Sequence, residues 1–289
     1  MAEADHEPVL VTEVVEILRD AEVVVDLTVG LGGHARALLK AGVGRVVGVD
    51  RDPEALAEAE RRLDQYGDRF GTVEATFGRV AEAAEEAGVR QAGGVLYDLG
   101  VSSLQLDRAE RGFSYRTEGP LDMRMGRGNE TAARIVNTYG ERDLERIIRE
   151  YGEERFAGRI SRAIARARRR APLRTTRELA AVVAAAVPKR RGGPHPARRT
   201  FQALRIEVNR ELEELAASLP RAVQLLAPGG RLAAIAYHSL EDRILKRFLV
   251  QDERLEPLFR KPVRPSAAEA RRNPRARSAK LRAAERKAA

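Results

Sequence analysis

Three aspartates and one glycine-rich turn are the residues of this sequence whose types and spacing could perform chemistry. The turn lies in DLTVGLGGHARALL (26–39), between a β-branched run and a helical pattern. Asp26 stands just before it, Asp50 closes the run RVVGVD, and Asp98 closes the run GGVLYD. Glycines let the backbone approach a ligand closely, and N–H groups are exposed at the following helix start. Since a carboxylate about twenty residues after such a turn can accept hydrogen bonds from a ribose, the pattern indicates a nucleoside-bearing ligand.

The order of the glycines separates the candidate ligands only partly. A dinucleotide fingerprint reads G-x-G-x-x-G, whereas this turn reads G-L-G-G-H and lacks the third glycine. The carboxylate of Asp26 would repel a pyrophosphate and attract the ammonium of a methionine group. These residues favour S-adenosylmethionine over a nicotinamide or flavin, and they leave both alternatives open.

The composition excludes several other kinds of site. The 289-residue chain has no cysteine and four widely separated histidines, so we expect no disulfide, no cysteine nucleophile and no metal. The start, MAEADHEPVL, lacks the basic and then apolar order of a signal peptide. The longest uncharged apolar run, LAAVVAAAV (179–187), is too short to cross a bilayer. We therefore expect a cytoplasmic protein with no membrane partner.

The positive charge is concentrated in two blocks. Residues 155–199 contain fourteen Lys and Arg against one Glu, and residues 260–289 contain eleven against two. Because the net charge of the whole chain is only +9, the rest of the chain is acidic. Two basic blocks on an acidic body indicate a polyanion-binding surface, and a solvated helix face with a disordered tail is the alternative explanation.

The first hundred residues alternate between short apolar runs and helical periods. We predict strands at 22–30, 45–53, 71–80 and 93–103, with helices at 9–18, 34–42 and 54–66. This alternation is typical of an α/β fold with a mostly parallel sheet covered on both faces. The carboxyl ends of parallel strands share one edge, so Asp26, Asp50 and Asp98 should meet there.

A helical segment interrupts this pattern. From about residue 109 arginine-rich helical stretches run to about residue 187, and helix, turn and strand return at 212–239. In one of these stretches Phe156, Ile160 and Ile164 recur at helical spacing among arginines, as expected for a helix packed on one side. We predict a core domain at 1–108, an inserted helical domain at 109–205 that contains the first basic block, and the rest of the core with a basic C-terminal tail at 206–289.

Several longer strings resemble one known family in order and spacing. DLGVSS, GPLDMRM, HPARRTFQALRI, HSLEDR and NPRARSAKLR are similar to the strings of the MraW family, also called the ribosomal RNA small-subunit methyltransferase H family. The resemblance covers nearly the whole chain. It implies a class I S-adenosylmethionine-dependent methyltransferase fold, Rossmann-like, with an inserted all-helical domain. It also implies methylation of the exocyclic N4 of one cytidine in the decoding region of 16S ribosomal RNA.

The resemblance further implies a set of cofactor-binding residues: Gly32, Gly33, His34, Asp50, Phe77, Asp98 and Gln105. The glycine turn would meet the methionine portion, Asp50 the ribose, and Phe77 one face of the adenine by stacking. From the residues alone, Phe77 is more often a core side chain and Gln105 more often a surface residue.

The expected chemistry narrows the catalytic candidates. Methylating a cytosine ring carbon usually needs a thiolate that adds to the ring, and this chain has none. An exocyclic amine needs only orientation toward the methyl group and an acceptor for its proton. We hypothesise that Asp98, or the backbone carbonyls of residues 99–102, accepts the N–H hydrogen bonds.

The RNA-binding candidates come from the same strings and from the basic blocks. They are Arg198, Arg199, His238, Arg275 and Arg277. His238 is equally explained as a structural histidine, and Tyr237 beside it stands where the family usually has phenylalanine. The implied partner is small-subunit ribosomal RNA or the 30S subunit, and a homodimer stays open. A nicotinamide-dependent oxidoreductase and a non-catalytic RNA-binding module are the rival functions.

Overall fold

The computed structural model describes residues 8–188, 193 and 195–288. They form two compact units. One contains the described residues up to Gly100 and those from Leu212 onward, and the other is Val101–Glu211. The second unit begins eight residues before the predicted insertion and ends six residues after it.

A single seven-stranded sheet organises the first unit. Its strands are β1 (Val23–Asp26), β2 (Arg45–Asp50), β3 (Phe70–Glu74), β4 (Ala92–Asp98), β5 (Leu226–Ala236), β6 (Leu255–Pro257) and β7 (Lys280–Arg286). The spatial order is β3-β2-β1-β4-β5-β7-β6, in which β7 runs antiparallel to both of its neighbours. β1 to β5 pair in parallel. The predicted α/β fold with a mostly parallel, Rossmann-like sheet is therefore confirmed.

Helices cover both faces of this sheet. They are α1 (Val11–Leu18), α2 (Gly33–Lys40), α3 (Pro53–Leu63), α4 (Val80–Glu86), α11 (Glu211–Leu225), α12 (Ser239–Gln251) and α13 (Ala267–Arg272). α1, α2 and α3 contribute to one hydrophobic core, which also contains Val24 and Val46 of the strands. α4, α11 and α12 contribute to the other, which contains Val25 and Val47. Adjacent valines of a strand point to opposite faces of the sheet, so an unbroken apolar run contributes side chains to both cores.

The second unit is built from helices. They are α5 (Ser103–Asp107), α6 (Ala132–Thr138), α7 (Glu141–Glu150), α8 (Ala157–Arg168), α9 (Thr176–Ala186) and α10 (Arg198–Asn209). They enclose a hydrophobic core of their own. In α8 the predicted amphipathic face is confirmed, because Ile160 and Ile164 are fully buried. Within the described residues, no helix has the length and apolar character that a membrane span requires.

All four predicted strands end earlier than predicted, at the site edge of the sheet: β1 ends at Asp26 and β2 at Asp50, where residues 30 and 53 were predicted. β3 ends at Glu74, and a 3-10 turn at Phe77–Arg79 follows where we predicted continuing strand. β4 ends at Asp98, and Ser102 caps α5 by accepting a hydrogen bond from the Gln105 amide. Both segments are therefore connecting loops beyond the carboxyl ends of strands, where ligands bind in such sheets.

The basic C-terminal segment is part of the sheet and not a tail. β7 lies between β5 and β6, with Leu281 and Ala283 buried. Its cations at the alternate positions Lys280 and Arg282 each donate to Asp242 of α12 at 2.7 Å. The charges that made this segment look like a solvated tail therefore form ion pairs along one side of an inner strand.

Candidate functional site

The three predicted carboxylates do end neighbouring strands at one edge of the sheet. Asp26 is the last residue of β1, which lies between β2, ending at Asp50, and β4, ending at Asp98. The chain builds the sheet outward from β1 to β3 and then returns to add β4 on the other side of β1. The reversal of strand order therefore falls between Asp26 and Asp98, and such a reversal opens a ligand-binding crevice.

The glycine turn between β1 and α2 is tied to the end of β2. The Gly30 amide donates to Oδ2 of Asp50 at 3.0 Å, and the Asp52 amide donates to Oδ1 at 3.0 Å. Gly32 has a φ of +77°, and a Cβ there would lie 2.8 Å from Cδ1 of Leu63. The turn therefore requires glycine at position 32 for its backbone conformation and for its packing on α3.

Asp50 has a structural role besides the predicted one. Both of its oxygens accept backbone N–H groups, which leaves each oxygen a further lone pair for a ligand hydroxyl. Burial raises the pKa of Asp50 to about 6, against the opposing effect of those two amides. Its contact with a ribose stays a prediction.

His34 connects the start of the chain to Asp98. Its Nε2 lies 3.0 Å from the carbonyl oxygen of Val9, and its Nδ1 lies 3.5 Å from Oδ2 of Asp98. A carbonyl oxygen can only accept, so Nε2 carries a hydrogen. Nδ1 faces the Asp98 carboxylate, so the imidazole ring links the segment before α1 to the end of β4.

Asp98 is held by two further hydrogen bonds. Its backbone amide donates to Oγ1 of Thr28 at 2.5 Å, and its Oδ1 accepts the hydroxyl of Tyr237 at 2.7 Å. The side chain remains 24% exposed, so a ligand can reach it. Burial raises the pKa of Asp98, while His34 and the Tyr237 hydroxyl oppose that rise.

Asp26 is the most deeply buried of the three carboxylates. It is 1% exposed, and its Oδ1 accepts the Thr28 amide at 3.1 Å. Burial raises the pKa of Asp26 from 3.8 to about 7, with smaller upward contributions from Asp98 and Asp50, while His34 opposes the rise. A carboxylate kept partly protonated in this way would become ionised next to an added cation.

Phe77 lies in the 3-10 turn after β3, and its ring meets Tyr97 edge-on at a centroid distance of 6.1 Å. Two side chains of α11 hold this turn. Oε2 of Glu214 accepts the Gly78 amide at 3.0 Å, and Arg221 donates to the Gly78 carbonyl at 2.5 Å. The ring is half-buried, so it can both pack on Tyr97 and offer surface to a ligand.

The comparisons with known proteins identify the family. A model described as the MraW methylase family matches residues 3–287. The chain belongs to the MraW methylase family. A Deinococcus deserti protein named Ribosomal RNA small subunit methyltransferase H is 53% identical over 283 residues, covering 97% of this chain and 93% of that one. A Thermobifida fusca protein of the same name is 50% identical over 307 residues, with the same coverage.

Solved structures are more distant from this methylase. A crystal structure described as an rRNA methylase from Streptococcus thermophilus aligns over 96% of this chain and 94% of that chain. Its TM-score is 0.45 at 13% identity, which is too low to add to the family assignment. Family membership over nearly the whole chain makes this protein a methyltransferase that uses S-adenosylmethionine, as the sequence predicted.

One predicted cofactor contact of this methylase lies in the helical unit. Gln105 caps α5 reciprocally with Ser102, because Oε1 of Gln105 accepts the Ser102 amide at 3.1 Å. Its side chain is buried, which contradicts the surface alternative. Its contact with the cofactor stays a prediction.

The RNA-binding candidates of this methylase differ in exposure. Arg198 and Arg199 are exposed in the first turn of α10. Nη1 of Arg199 lies 3.7 Å from Oε2 of Glu154, which is a long ion pair. Arg277 is exposed and donates to the carbonyl of Ala270, whereas Arg275 is half-buried. The exposed guanidinium groups are the ones most available to phosphates.

His238 has a clear local role. Its Nδ1 accepts the Glu241 amide at 3.4 Å, and its Nε2 lies 3.1 Å from Oε1 of Glu241. The side chain is 10% exposed and caps α12. This arrangement supports the structural alternative, and contact with RNA stays a prediction.

Sequence reasoning missed Tyr237 and Thr28 as neighbours of Asp98. Tyr237 follows β5 directly, and Thr28 follows β1 by two residues. The rule that drew attention to the aspartates, which is position just beyond the carboxyl end of a parallel strand, applies to both. The signal was therefore present in the sequence and was read only for acidic residues.

Proposed function

We propose that this methyltransferase transfers a methyl group to the exocyclic N4 of a cytidine in small-subunit ribosomal RNA. The observation that carries the proposal is the set of carboxylates around the strand-order reversal, in a chain about half identical to proteins named Ribosomal RNA small subunit methyltransferase H. Since small-subunit ribosomal RNA is the substrate that we propose, we also propose that the protein acts in the cytoplasm.

The residues at the sheet edge fit S-adenosylmethionine. The buried carboxylate of Asp26 offers an anionic partner for an ammonium group, and Asp50 ends the strand next to it. Gly30 and Gly32 have positive φ values of 50° and 77°, and at these two positions the turn presents backbone without a side chain. When bound, S-adenosylmethionine supplies an electrophilic methyl group. The turn, Asp26, Asp50 and Phe77 are the residues that would hold it.

Asp98 is the group that would act on the amine. A cytosine amine becomes more acidic as its nitrogen gains positive charge, so an acceptor near it lowers the barrier. The partly exposed carboxylate of Asp98 would accept one N–H hydrogen bond and then take that proton. His34, whose Nδ1 faces Oδ2 of this carboxylate, would favour its ionised form until the proton arrives. Orientation of the amine supplies the rest of the rate.

The helical unit would supply most of the RNA contacts. Arg159, Arg162 and Arg166 are exposed along α8, whose isoleucines are buried, and Arg155 is exposed just before this helix. Arg198 and Arg199 are exposed at the start of α10 in the same unit. Contacts of this kind release counterions, so raised salt would weaken RNA binding steeply and cofactor binding little.

Nucleoside mass spectrometry after methylation in vitro tests the proposal. The purified protein is incubated with labelled S-adenosylmethionine and either naked small-subunit RNA or 30S subunits, and the digest is searched for methylated cytidines. We expect the wild type to produce N4-methylcytidine with one of the two substrates and no 5-methylcytidine. We expect Asp98→Asn to be inactive. Label on the ring carbon, or no label on either substrate, would contradict the proposal.

Two controls separate the rival functions. Titration with S-adenosylhomocysteine against NAD distinguishes a methyltransferase from an oxidoreductase, and RNA binding without methyl transfer would indicate a binding module. Asp20→Asn serves as the matched variant, because the Asp20 side chain is 78% exposed. Sedimentation of the same preparation shows whether the active species is a monomer or a homodimer.

A further inference from the structure

The Tyr237 side chain is hydrogen-bonded to the Asp98 carboxylate. Its hydroxyl donates to Oδ1 at 2.7 Å, across 139 residues of sequence. Tyr237 follows β5, and β5 pairs with β4 so that Ile235 is opposite Asp98. The tyrosine therefore reaches Asp98 from the neighbouring strand, on the side away from β1.

The tyrosine is fixed at both ends. Its backbone amide donates to Oε2 of Glu241 at 2.8 Å, in the first turn of α12. Its ring carbon Cδ2 lies 3.4 Å from the place that a Cβ on Gly100 would occupy, so the ring packs on the loop that follows Asp98. Because the ring has packing partners of its own, the position of the hydroxyl does not depend on Asp98 alone.

The hydroxyl also stays protonated. Burial and the nearby carboxylates Asp98, Glu241 and Glu269 raise the pKa of Tyr237 well above its ordinary value. The group is therefore a hydrogen-bond donor, and not a base, throughout the neutral pH range. Donation to a carboxylate favours the ionised form of that carboxylate.

We propose that Tyr237 is a positioning residue for the methyl transfer: its hydroxyl holds Oδ1 of Asp98, so that the carboxylate keeps one orientation in which it accepts the amine N–H. This inference rests on the proposed function. The amine N–H would donate to a lone pair of the Asp98 carboxylate that neither Tyr237 nor His34 occupies. Rotation of the carboxylate would break its hydrogen bond with Tyr237. Tyr237 itself touches neither the amine nor the methyl group.

The charged and titratable groups around Asp98 come from four elements. They are Asp26 of β1, His34 of α2, Tyr237 after β5 and Glu241 of α12. Asp26 and Glu241 disfavour a charged Asp98, whereas His34 and Tyr237 favour it. Without the Tyr237 hydroxyl, His34 alone would favour the ionised form of Asp98, against burial and the two neighbouring carboxylates.

The test is Tyr237→Phe, which removes one oxygen and keeps the ring packed on Gly100. Tyr97→Phe is the matched control, because Tyr97 precedes Asp98 directly and its buried hydroxyl donates to Ser218 at 3.0 Å. Each variant loses one hydrogen-bonded hydroxyl, so a general loss of stability appears in both. Rates of methyl transfer to the RNA substrate are measured across pH, together with the affinity for S-adenosylhomocysteine.

For Tyr237→Phe we expect kcat to fall about tenfold near neutral pH, with the acid limb of its pH profile moved up by roughly one to two pH units. Raised pH should restore most of the rate, and the affinity for S-adenosylhomocysteine should stay within about twofold. The profile of Tyr97→Phe should coincide with that of the wild type. A Tyr237→Phe profile that also coincides with the wild type would overturn the inference.

A second measurement keeps this inference separate from the proposed function. Asp98 is followed by carbon-13 NMR of the aspartate carboxyl groups in the wild type and in Tyr237→Phe, with Asp98→Asn for assignment. An upward shift of its titration in Tyr237→Phe supports the hydrogen bond even if the wild type methylates no ribosomal RNA, which would refute the proposed function. An unchanged titration of Asp98 would overturn the positioning role.

Discussion

Replacing Asp26 by asparagine should stabilise the cofactor-free protein, and more so at high pH than at low pH. The pKa of Asp26 is about 7 in the folded protein and 3.8 in an ordinary environment. Between these values the folded state keeps a proton that the unfolded state has lost. The wild type therefore loses stability as pH rises through this window, by about 1.4 kcal/mol for each pH unit.

Between pH 5 and the folded-state pKa of about 7, the slope acts over about two pH units, and above that pH Asp26 is ionised in both states. The free energy of unfolding of Asp26→Asn, relative to wild type, should thus rise by about 3 kcal/mol between the two pH values. Asparagine keeps an oxygen that can accept the Thr28 amide, which Asp26 accepts at 3.1 Å. The comparison therefore isolates the charge from the geometry.

Urea denaturation at both pH values measures this difference, with Asp20→Asn as the control for losing an exposed carboxylate. The same variant should bind S-adenosylhomocysteine at least about tenfold more weakly, since its ammonium loses an anionic partner. A relative stability of Asp26→Asn that is the same at pH 5 and pH 8 would refute the reasoning, because Asp26 would then titrate alike in both states.

Three further variants test other parts of the site. Gly32→Ala should weaken S-adenosylhomocysteine binding by about tenfold or more, because its Cβ would meet Leu63 at a φ of +77°. Gly42→Ala, with a φ of +104° and no atom within 4 Å, should leave that affinity unchanged. Phe77→Ala should cost about tenfold in the same calorimetric titration through lost adenine stacking, and an unchanged affinity would assign Phe77 to the core alone. Arg198→Ala with Arg199→Ala should lower the slope of log affinity for RNA against log salt by about 0.7 per lost phosphate contact, and an unchanged slope would place the phosphates elsewhere.

The sheet and the meeting of the three aspartates could be predicted because both follow from local patterns. A β-branched run of four to seven residues buried on both faces is recognisable without knowing its neighbours. Once the strands are parallel, their carboxyl ends must share an edge, so Asp26, Asp50 and Asp98 had to gather. The start of α3 differs from the prediction by one residue, because Asp52, assigned to the strand before it, instead accepts the Glu54 amide and α3 begins at Pro53.

The strand at the C-terminus could not be recognised in this way. KLRAAER (280–286) has the alternation of a strand, yet its charges resemble those of a solvated basic segment. What makes it an inner strand is Asp242, nearly forty residues earlier, which accepts from both Lys280 and Arg282. An ion pair between distant segments leaves no mark on the local pattern of either one.

The sequence by itself determined the chemistry available to this protein: three carboxylates beyond strand ends, a glycine turn, no thiol, and basic blocks for a polyanion. The tertiary structure alone decided how those groups are charged and held. Burial sets the pKa of Asp26, and the Tyr237 hydroxyl selects one oxygen of Asp98. Burial and contacts between distant residues depend on the whole packed arrangement, whereas strand and turn patterns depend on a few adjacent residues.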